Sequence, residues 1–379
     1  MLGPWPDTRP LQIETVEAAT VHPYTFQDRK FVGGFAAGEM PTNAHMPGEA
    51  GFRDAPLQTL PRAIQRLEGR HLFAGPVWNH FGHILTDSLH RLWPLTSGNN
   101  AYDGIVFLAV TNLRVPSDGI IRMPQIAVDL MRLMGIPDIP MHFILEPTEV
   151  EILDVPDIGC STKVGLKEDY RPYLRHYQAN IRREVSHLMG KTPKKLFYSR
   201  SHALRDGGVI GIEYFENQLR PHGFVSCVPE EMTLKMQFAY AMSAERILFE
   251  EGSALHVTDI LDQIPAKMFM LRRRAKVIDF ERALRPRVAG FQNLVAKNNV
   301  IQLPDRNGNL GVASLAIYPR PGEINEAMRK HGLPVGSFDA QAYQEAERNS
   351  LIRSPAANAS VKEARMEQWR KIRGISSGG

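Results

Sequence analysis

Three histidines and an aspartate recur at helical spacing in the segment Asn79-His80-Phe81-Gly82-His83-Ile84-Leu85-Thr86-Asp87-Ser88-Leu89-His90-Arg91-Leu92-Trp93. Read as one continuous helix, it would place His80, His83, Asp87 and His90 at i, i+3, i+7 and i+10, on a single face. Two chemistries use such a set. An aspartate can orient an imidazole that acts as a general base, or imidazoles and carboxylate together can ligate zinc, manganese or iron. Three imidazoles and a carboxylate are costly to bury without partners, so a stripe of this kind beside a core is expected to line a cleft. Ile84, Leu85, Leu89, Leu92 and Trp93 supply the apolar surface that would seat the helix.

Two further segments have a composition suited to anions. The run Glu250-Glu251-Gly252-Ser253-Ala254-Leu255-His256 is expected to follow a strand and to open a helix through Leu261. Gly252 and Ser253 leave room for backbone N–H groups to approach a ligand, and a helix N-terminus favours negative charge. The plain alternative is an ordinary turn with Ser253 as N-cap. The two glutamates would repel a phosphate there unless one holds a ribose hydroxyl or acts as a base. Tyr198-Ser199-Arg200-Ser201 ends another expected strand on an arginine, with His202 and Arg205 in the following loop. The planar fork of an arginine can clamp a pyrophosphate, although a surface ion pair would use it equally well.

The elements that must position these groups read as α/β. Strands are expected within residues 11–35 and at 70–75, 104–110, 142–145 and 150–155. Helices are expected over the histidine segment and over 124–134, where Gly135 ends the run. The continuous apolar run Gly104-Ile105-Val106-Phe107-Leu108-Ala109-Val110 suits a strand covered on both faces. A polar-rich helix over 173–189 bridges to a second unit. Its strands are expected at 194–200, 224–228, 246–249 and 267–271, and its helices at 213–220 and 233–243. Alternation of this kind indicates two units with largely parallel sheets. Beyond Gly290 the pattern loosens to a short strand at 300–303, a helix at 323–331 and polar helical segments, with a frayed end at 376–379.

With 379 residues, 43% hydrophobic and 23% charged, the chain is of globular composition and long enough for two domains. A net charge of +4 is too small to argue for nucleic acid. The surplus is local: Arg272, Arg273, Arg274, Lys276, Arg282, Arg285 and Arg287 face only Asp279 and Glu281. Such a strip suits phosphates, an anionic membrane surface or a solvated face. Cys160 and Cys227 are the only cysteines, which points to a reducing compartment rather than a disulfide framework. No signal peptide or membrane span is read from the sequence, so a cytoplasmic protein is expected, with a place at the inner face of the cell membrane left open.

The order of three of these elements resembles glycosyltransferase family 61, known in bacteria from capsule and polysaccharide loci. They are Gly82 to Leu92, then Lys195-Leu196-Phe197-Tyr198-Ser199-Arg200, then Glu251-Gly252-Ser253-Ala254-Leu255-His256. The Pro229-Glu230-Glu231-Met232-Thr233-Leu234 segment is also similar to the family, and the likeness covers roughly residues 60–275. Many members carry a histidine just before the glycine of the turn, where this chain has Glu251. Others have a Gly-Ser-Ala-Leu-His form, in which His256 follows instead.

The resemblance implies a GT-B-like α/β fold: two Rossmann-like domains facing a cleft, with a C-terminal extension. Residues 1–180 would be the acceptor-side domain, 181–290 the nucleotide-sugar-binding domain and 291–379 the extension. It further implies an inverting enzyme with no obligatory metal and no cofactor beyond the nucleotide-sugar donor. His83 and Asp87 would be the catalytic pair. Arg200, Ser199, Gly252, Ser253, Ala254, Glu251 and His256 would contact the donor. The acceptor would be a glycan or lipid-linked glycan, with no nucleic acid partner, and with peripheral membrane contact and homo-oligomerisation left open. The competing readings are a metal-dependent hydrolase on the His80/His83/Asp87/His90 face and a non-catalytic glycan-binding member. The adjacent glutamates Glu250 and Glu251 are the best support for the latter.

Overall fold

The computed structural model describes residues 10–28, 30–48, 51–59, 61–77, 81–96, 101–113, 122–161, 165–275, 280–311 and 313–375. The expected frayed end and His80, Lys276 and Asp279 lie outside them. The chain divides into two compact units. Unit 1 comprises Met1–Ser186, His256–Gln263 and Asp279–Arg287; unit 2 comprises His187–Leu255, Ile264–Ile278 and Val288–Gly379. The boundary read from sequence at 180/181 falls inside a helix, and the division of the structure is discontinuous in the chain.

Unit 1 opens with β1 (Ile13–Gln27), β2 (Lys30–Ala36), β3 (Asp54–Leu57) and β4 (Gln65–Val77), followed by helix α1 (Phe81–Asp87). Then come β5 (Gly104–Ala109), α2 (Gln125–Met134), β6 (Met141–Ile144), β7 (Thr148–Pro156) and a small hairpin of β8 (Cys160–Ser161) with β9 (Gly165–Leu166). Its main sheet runs β3-β2-β1-β7-β4-β5-β6. β7, β4, β5 and β6 are mutually parallel, whereas β1 pairs antiparallel with β7 and with β2. The sheet is therefore mixed. β5 is buried at every position, as its uninterrupted apolar sequence requires of an inner parallel strand. Tyr24, Phe31, Phe35, Phe73, Val106 and Leu153 form the core on one side of this sheet.

The histidine segment departs from the single helix expected for it. α1 ends at Asp87; Ser88 leaves helical geometry (φ −125°, ψ −50°), and Leu89–Arg91 and Trp93–Thr96 are separate 3₁₀ turns. The break is fixed by tertiary bonds. The Ser88 hydroxyl donates to the Pro76 carbonyl at 2.6 Å, and the Trp93 indole donates to the Asp157 carbonyl at 2.9 Å. His90 thus leaves the face that carries His83 and Asp87.

After α3 (Arg171–Met189), unit 2 has β10 (Lys195–Tyr198), α4 (Ile212–Leu219), β11 (Phe224–Ser226), α5 (Leu234–Ser243), β12 (Arg246–Glu250) and β13 (Ile264–Leu271). Thr233 caps α5, its hydroxyl accepting the Met236 N–H at 3.2 Å. Between β12 and β13, Ser253–Ile260 forms a 3₁₀ helix where an α-helix was expected. After α6 (Phe280–Leu284), which belongs to unit 1, unit 2 resumes with β14 (Val288–Asn293), β15 (Ile301–Leu303), β16 (Leu315–Ile317), α7 (Pro321–Lys330), α8 (Ala340–Arg353) and α9 (Ala359–Arg373). Its sheet, β11-β10-β12-β13-β14, is parallel throughout. In order of appearance this is 2-1-3-4-5, a doubly wound arrangement whose direction reverses between β10 and β12.

Residues 291–379 are not a separate body. Ile324 and Met328 of α7 and Tyr343 of α8 share one buried cluster with Phe197, Leu248 and Phe269 of the sheet and with Phe215 and Leu219 of α4. Burying large apolar side chains of this kind stabilises the unit by about 1.5–3 kcal/mol each. The extension is thus the cover of this sheet.

Candidate functional site

His83 and Asp87, at i and i+4 on α1, face each other: Nδ1 of His83 lies 3.0 Å from Oδ2 of Asp87. A third residue, Arg53, completes the group by donating from Nη1 to Oδ1 of Asp87 at 3.0 Å. The Thr86 hydroxyl donates to the same oxygen at 3.2 Å. Burial alone would raise the Asp87 carboxyl, but the Arg53 guanidinium and the His83 imidazole outweigh it and hold the group well below the usual carboxylate range. An ionised Asp87 can only accept, so neutral His83 carries its proton on Nδ1 and its lone pair on Nε2. The Asp87 side chain is 7% exposed and that of His83 41%. A screened carboxylate therefore backs an imidazole open to solvent, which suits proton abstraction from a hydroxyl.

His90 and His256 belong to a different cluster of unit 1. Nδ1 of His90 lies 3.1 Å from the Tyr170 hydroxyl, and burial pushes this imidazole down to about 4. Nδ1 of His256 lies 2.8 Å from Oδ2 of Asp259, and its ring is 5.3 Å from that of Phe280. Arg287 donates to the carbonyls of Thr258, Asp259 and Leu261 at 2.6–3.0 Å and to that of Ala283 at 2.7 Å. It is a buried clamp on the end of the 3₁₀ segment rather than part of a solvated basic strip. Arg272 and Arg273 are buried too, and Arg285 pairs with Glu281, so among the described residues these arginines are not simply a solvated basic face.

Among the described residues, no group of three or more His, Cys, Asp or Glu side chains could hold a metal ion. The described geometry does not favour the hydrolase reading, whose His80 lies outside the described residues. Asp87 is engaged by Arg53 and His83, and His90 stands on another turn against Tyr170.

In unit 2, the parallel pairing of Tyr198 with Phe249 brings the carboxyl ends of β10 and β12 side by side, at the reversal of strand order. Open α/β sheets take their ligands at this position. Ser199 and Arg200 follow one strand; Glu251, Gly252, Ser253 and Ala254 follow the other. The Arg200 guanidinium lies over Gly252, and its Nε donates to the Gly207 carbonyl at 2.8 Å. Ser199 is buried, with its hydroxyl accepting the Ser201 N–H at 3.0 Å, whereas Ser253 is exposed at the start of the 3₁₀ helix.

The two glutamates have structural duties. Glu250 accepts the N–H of Arg200 and, at 2.9 Å, that of Val209; Glu251 accepts those of Arg273 at 3.0 Å and Arg274 at 3.1 Å. Both are buried, and burial raises Glu250 despite the N–H groups aimed at it. Rather than repelling a ligand phosphate, they fix the loops that carry three arginines. Arg273 is lowered to about 10 by burial, reinforced by the positive charges of Arg274 and Arg200, which places the three guanidinium groups in one field. This removes the observation that favoured a non-catalytic protein. Arg273 and Arg274 were visible in sequence only as part of the basic strip. The same holds for Arg287, whereas Arg53 and Asp259 had no signal that marked them.

Residues 81–263 match the family model described as Glycosyltransferase 61. The chain carries a glycosyltransferase family 61 domain. The match begins on α1, contains His83, Asp87, Ser199, Arg200 and the Gly252 turn, and ends just before β13. By its family the protein is a glycosyltransferase, which requires a sugar donor and an acceptor. No curated protein matches the chain. No described helix is long and apolar enough to cross a membrane.

Proposed function

We propose that this family 61 enzyme transfers a sugar from a nucleotide-sugar to a hydroxyl of a bacterial glycan or lipid-linked glycan, with inversion and without an obligatory metal. The observation that carries the donor assignment is the placement of Arg200 over Gly252 at the carboxyl ends of adjacent parallel strands. There the departing nucleoside diphosphate gains charge as the glycosidic bond breaks. Guanidinium groups of Arg200 and Arg273 and the N–H groups at Gly252 and Ser253 are the groups proposed to stabilise it. His83, through Nε2, is the proposed base that takes the acceptor proton as its oxygen bonds to the anomeric carbon. Asp87 holds the imidazole in the required tautomer. In this reading unit 1 supplies the acceptor side and unit 2 the donor side of a GT-B enzyme.

The test is a thermal-shift screen of the whole protein against nucleoside diphosphates and nucleotide sugars, with and without EDTA. One class of diphosphate should raise the Tm insensitively to EDTA, and Arg200→Ala should abolish the shift while remaining folded. His83→Asn should keep the shift and lose transfer by roughly 10²–10⁴-fold, the usual contribution of a general base. Silence across all nucleotides would remove the donor assignment.

A further inference from the structure

We propose that Arg53 is a positioning residue that fixes Asp87 against His83 and sets the pH at which that imidazole takes up a proton; this rests on His83 being the base. Arg53 lies ahead of the family match, 34 residues before its partner Asp87. The two carboxylate oxygens of Asp87 divide their work: Oδ1 takes Arg53 and Thr86, and Oδ2 faces His83. With Oδ1 pinned, the carboxylate cannot swing away from the imidazole.

The loop that presents Arg53 is itself fastened. The Arg53 N–H donates to the Met46 carbonyl at 2.9 Å, and its carbonyl accepts the Phe31 N–H at 2.8 Å. Its guanidinium sits 5.3 Å above the Phe31 ring. Asp54 accepts the Met46 N–H at 2.6 Å and contacts Nδ1 of His45 at 2.7 Å. Arg91, fully buried, donates to the carbonyls of Asn43, Ala44, His45 and Pro156. A guanidinium four residues after Asp87 thus holds residues 43–45, His45 and Met46 hold Asp54, and the adjoining Arg53 returns a second guanidinium to Asp87.

The charged groups around the pair can be enumerated. Arg53, Arg91 and His90 act on Asp87 electrostatically. β4, packed on α1, carries Arg66 and Arg70, engaged with Glu149 and Asp154, and Glu68 and His71, the latter bonded to the Glu68 carbonyl. α2 carries Asp129 and Arg132, 3.7 Å apart, and β8 carries Cys160, whose thiol burial pushes up to about 12. Only Arg53 and His83 bond Asp87 through ionisable side chains among the described residues.

Removing the Arg53 charge leaves a buried carboxylate with His83 as its remaining bonded ionisable partner and only the field of Arg91 beside it. The pair then binds a proton at higher pH, whichever atom receives it, because the unprotonated state has lost its counter-charge. The experiment follows the His83 ring by NMR in histidine-labelled full-length protein, its resonance identified with His83→Gln, and the variants Arg53→Met, Arg53→Gln and Arg53→Lys. Arg53→Met and Arg53→Gln should move the His83 titration up by on the order of one pH unit, with Arg53→Lys returning it most of the way. The acid limb of the transfer rate should move with it. An unchanged His83 titration in either folded charge-removing variant would overturn the proposal. A moved titration with undiminished transfer by His83→Gln would instead overturn the assignment of the base and leave the role of Arg53 on Asp87 standing.

Discussion

Arg200 lies across Gly252 so closely that a β-carbon added there would come 3.3 Å from the guanidinium Nη1 and 3.5 Å from Cδ. The backbone at Gly252 is not left-handed, so an added β-carbon would press on the arginine side chain rather than strain the backbone.

Gly252→Ala is therefore expected to fold with an unchanged Tm and to weaken nucleoside diphosphate binding about fivefold, on the order of 1 kcal/mol, by displacing the arginine. Calorimetric titration of both proteins checks this. Equal affinity would mean that the close approach has no bearing on the ligand.

Asp87 supplies a prediction with a definite sign. Its folded-state pKa lies below the ordinary value of 3.8, so the stability it contributes is complete above that value and lost as pH falls through the folded one. Asp87→Asn should cost about 2–4 kcal/mol at neutral pH, and the gap should begin to narrow below about pH 4. Urea unfolding at pH 7, 5 and 3 measures the gap. A gap of constant size would show that the carboxylate is not held ionised by its partners.

His90 acts with the same sign in a higher pH window. Burial lowers it from 6.5 to about 4, so the unfolded chain binds the proton first and stability declines as pH drops between those values. The full loss amounts to about 3 kcal/mol. His90→Met should lack that slope, as urea midpoints at pH 7, 5.5 and 4.5 would show. Matching slopes in both proteins would mean that His90 becomes charged within the fold.

Much of this architecture was legible in the chain because apolar periodicity reports burial. The run 104–110 read as an inner strand, and Thr233 read as a helix start. The failures have physical causes. The histidine segment has helical spacing, but the bonds of Ser88 and Trp93 to distant carbonyls break it, and no local pattern contains them. β14, Val-Ala-Gly-Phe-Gln-Asn, alternates too weakly to stand out, yet it completes the second sheet. Glu250 and Glu251 read as charges facing a ligand because sequence does not show which amides a carboxylate will meet. Arg53 was invisible for the same reason: its significance arises only when a loop closes onto α1.

The discontinuity of the two units bears on what can be cut from this protein. Recognition by family begins at Phe81, after β4, and ends at Gln263, before β13. β4 lies between β7 and β5 in the first sheet, and β13 and β14 complete the second. An excised 81–263 fragment would have a gap through one sheet and a bare edge on β12 of the other, with rows of amides and carbonyls lacking partners. The stretch that comparison recognises is thus shorter than the stretch that can fold. Expression fragments, fusions and variant libraries must retain both flanks to keep the machinery they are meant to probe.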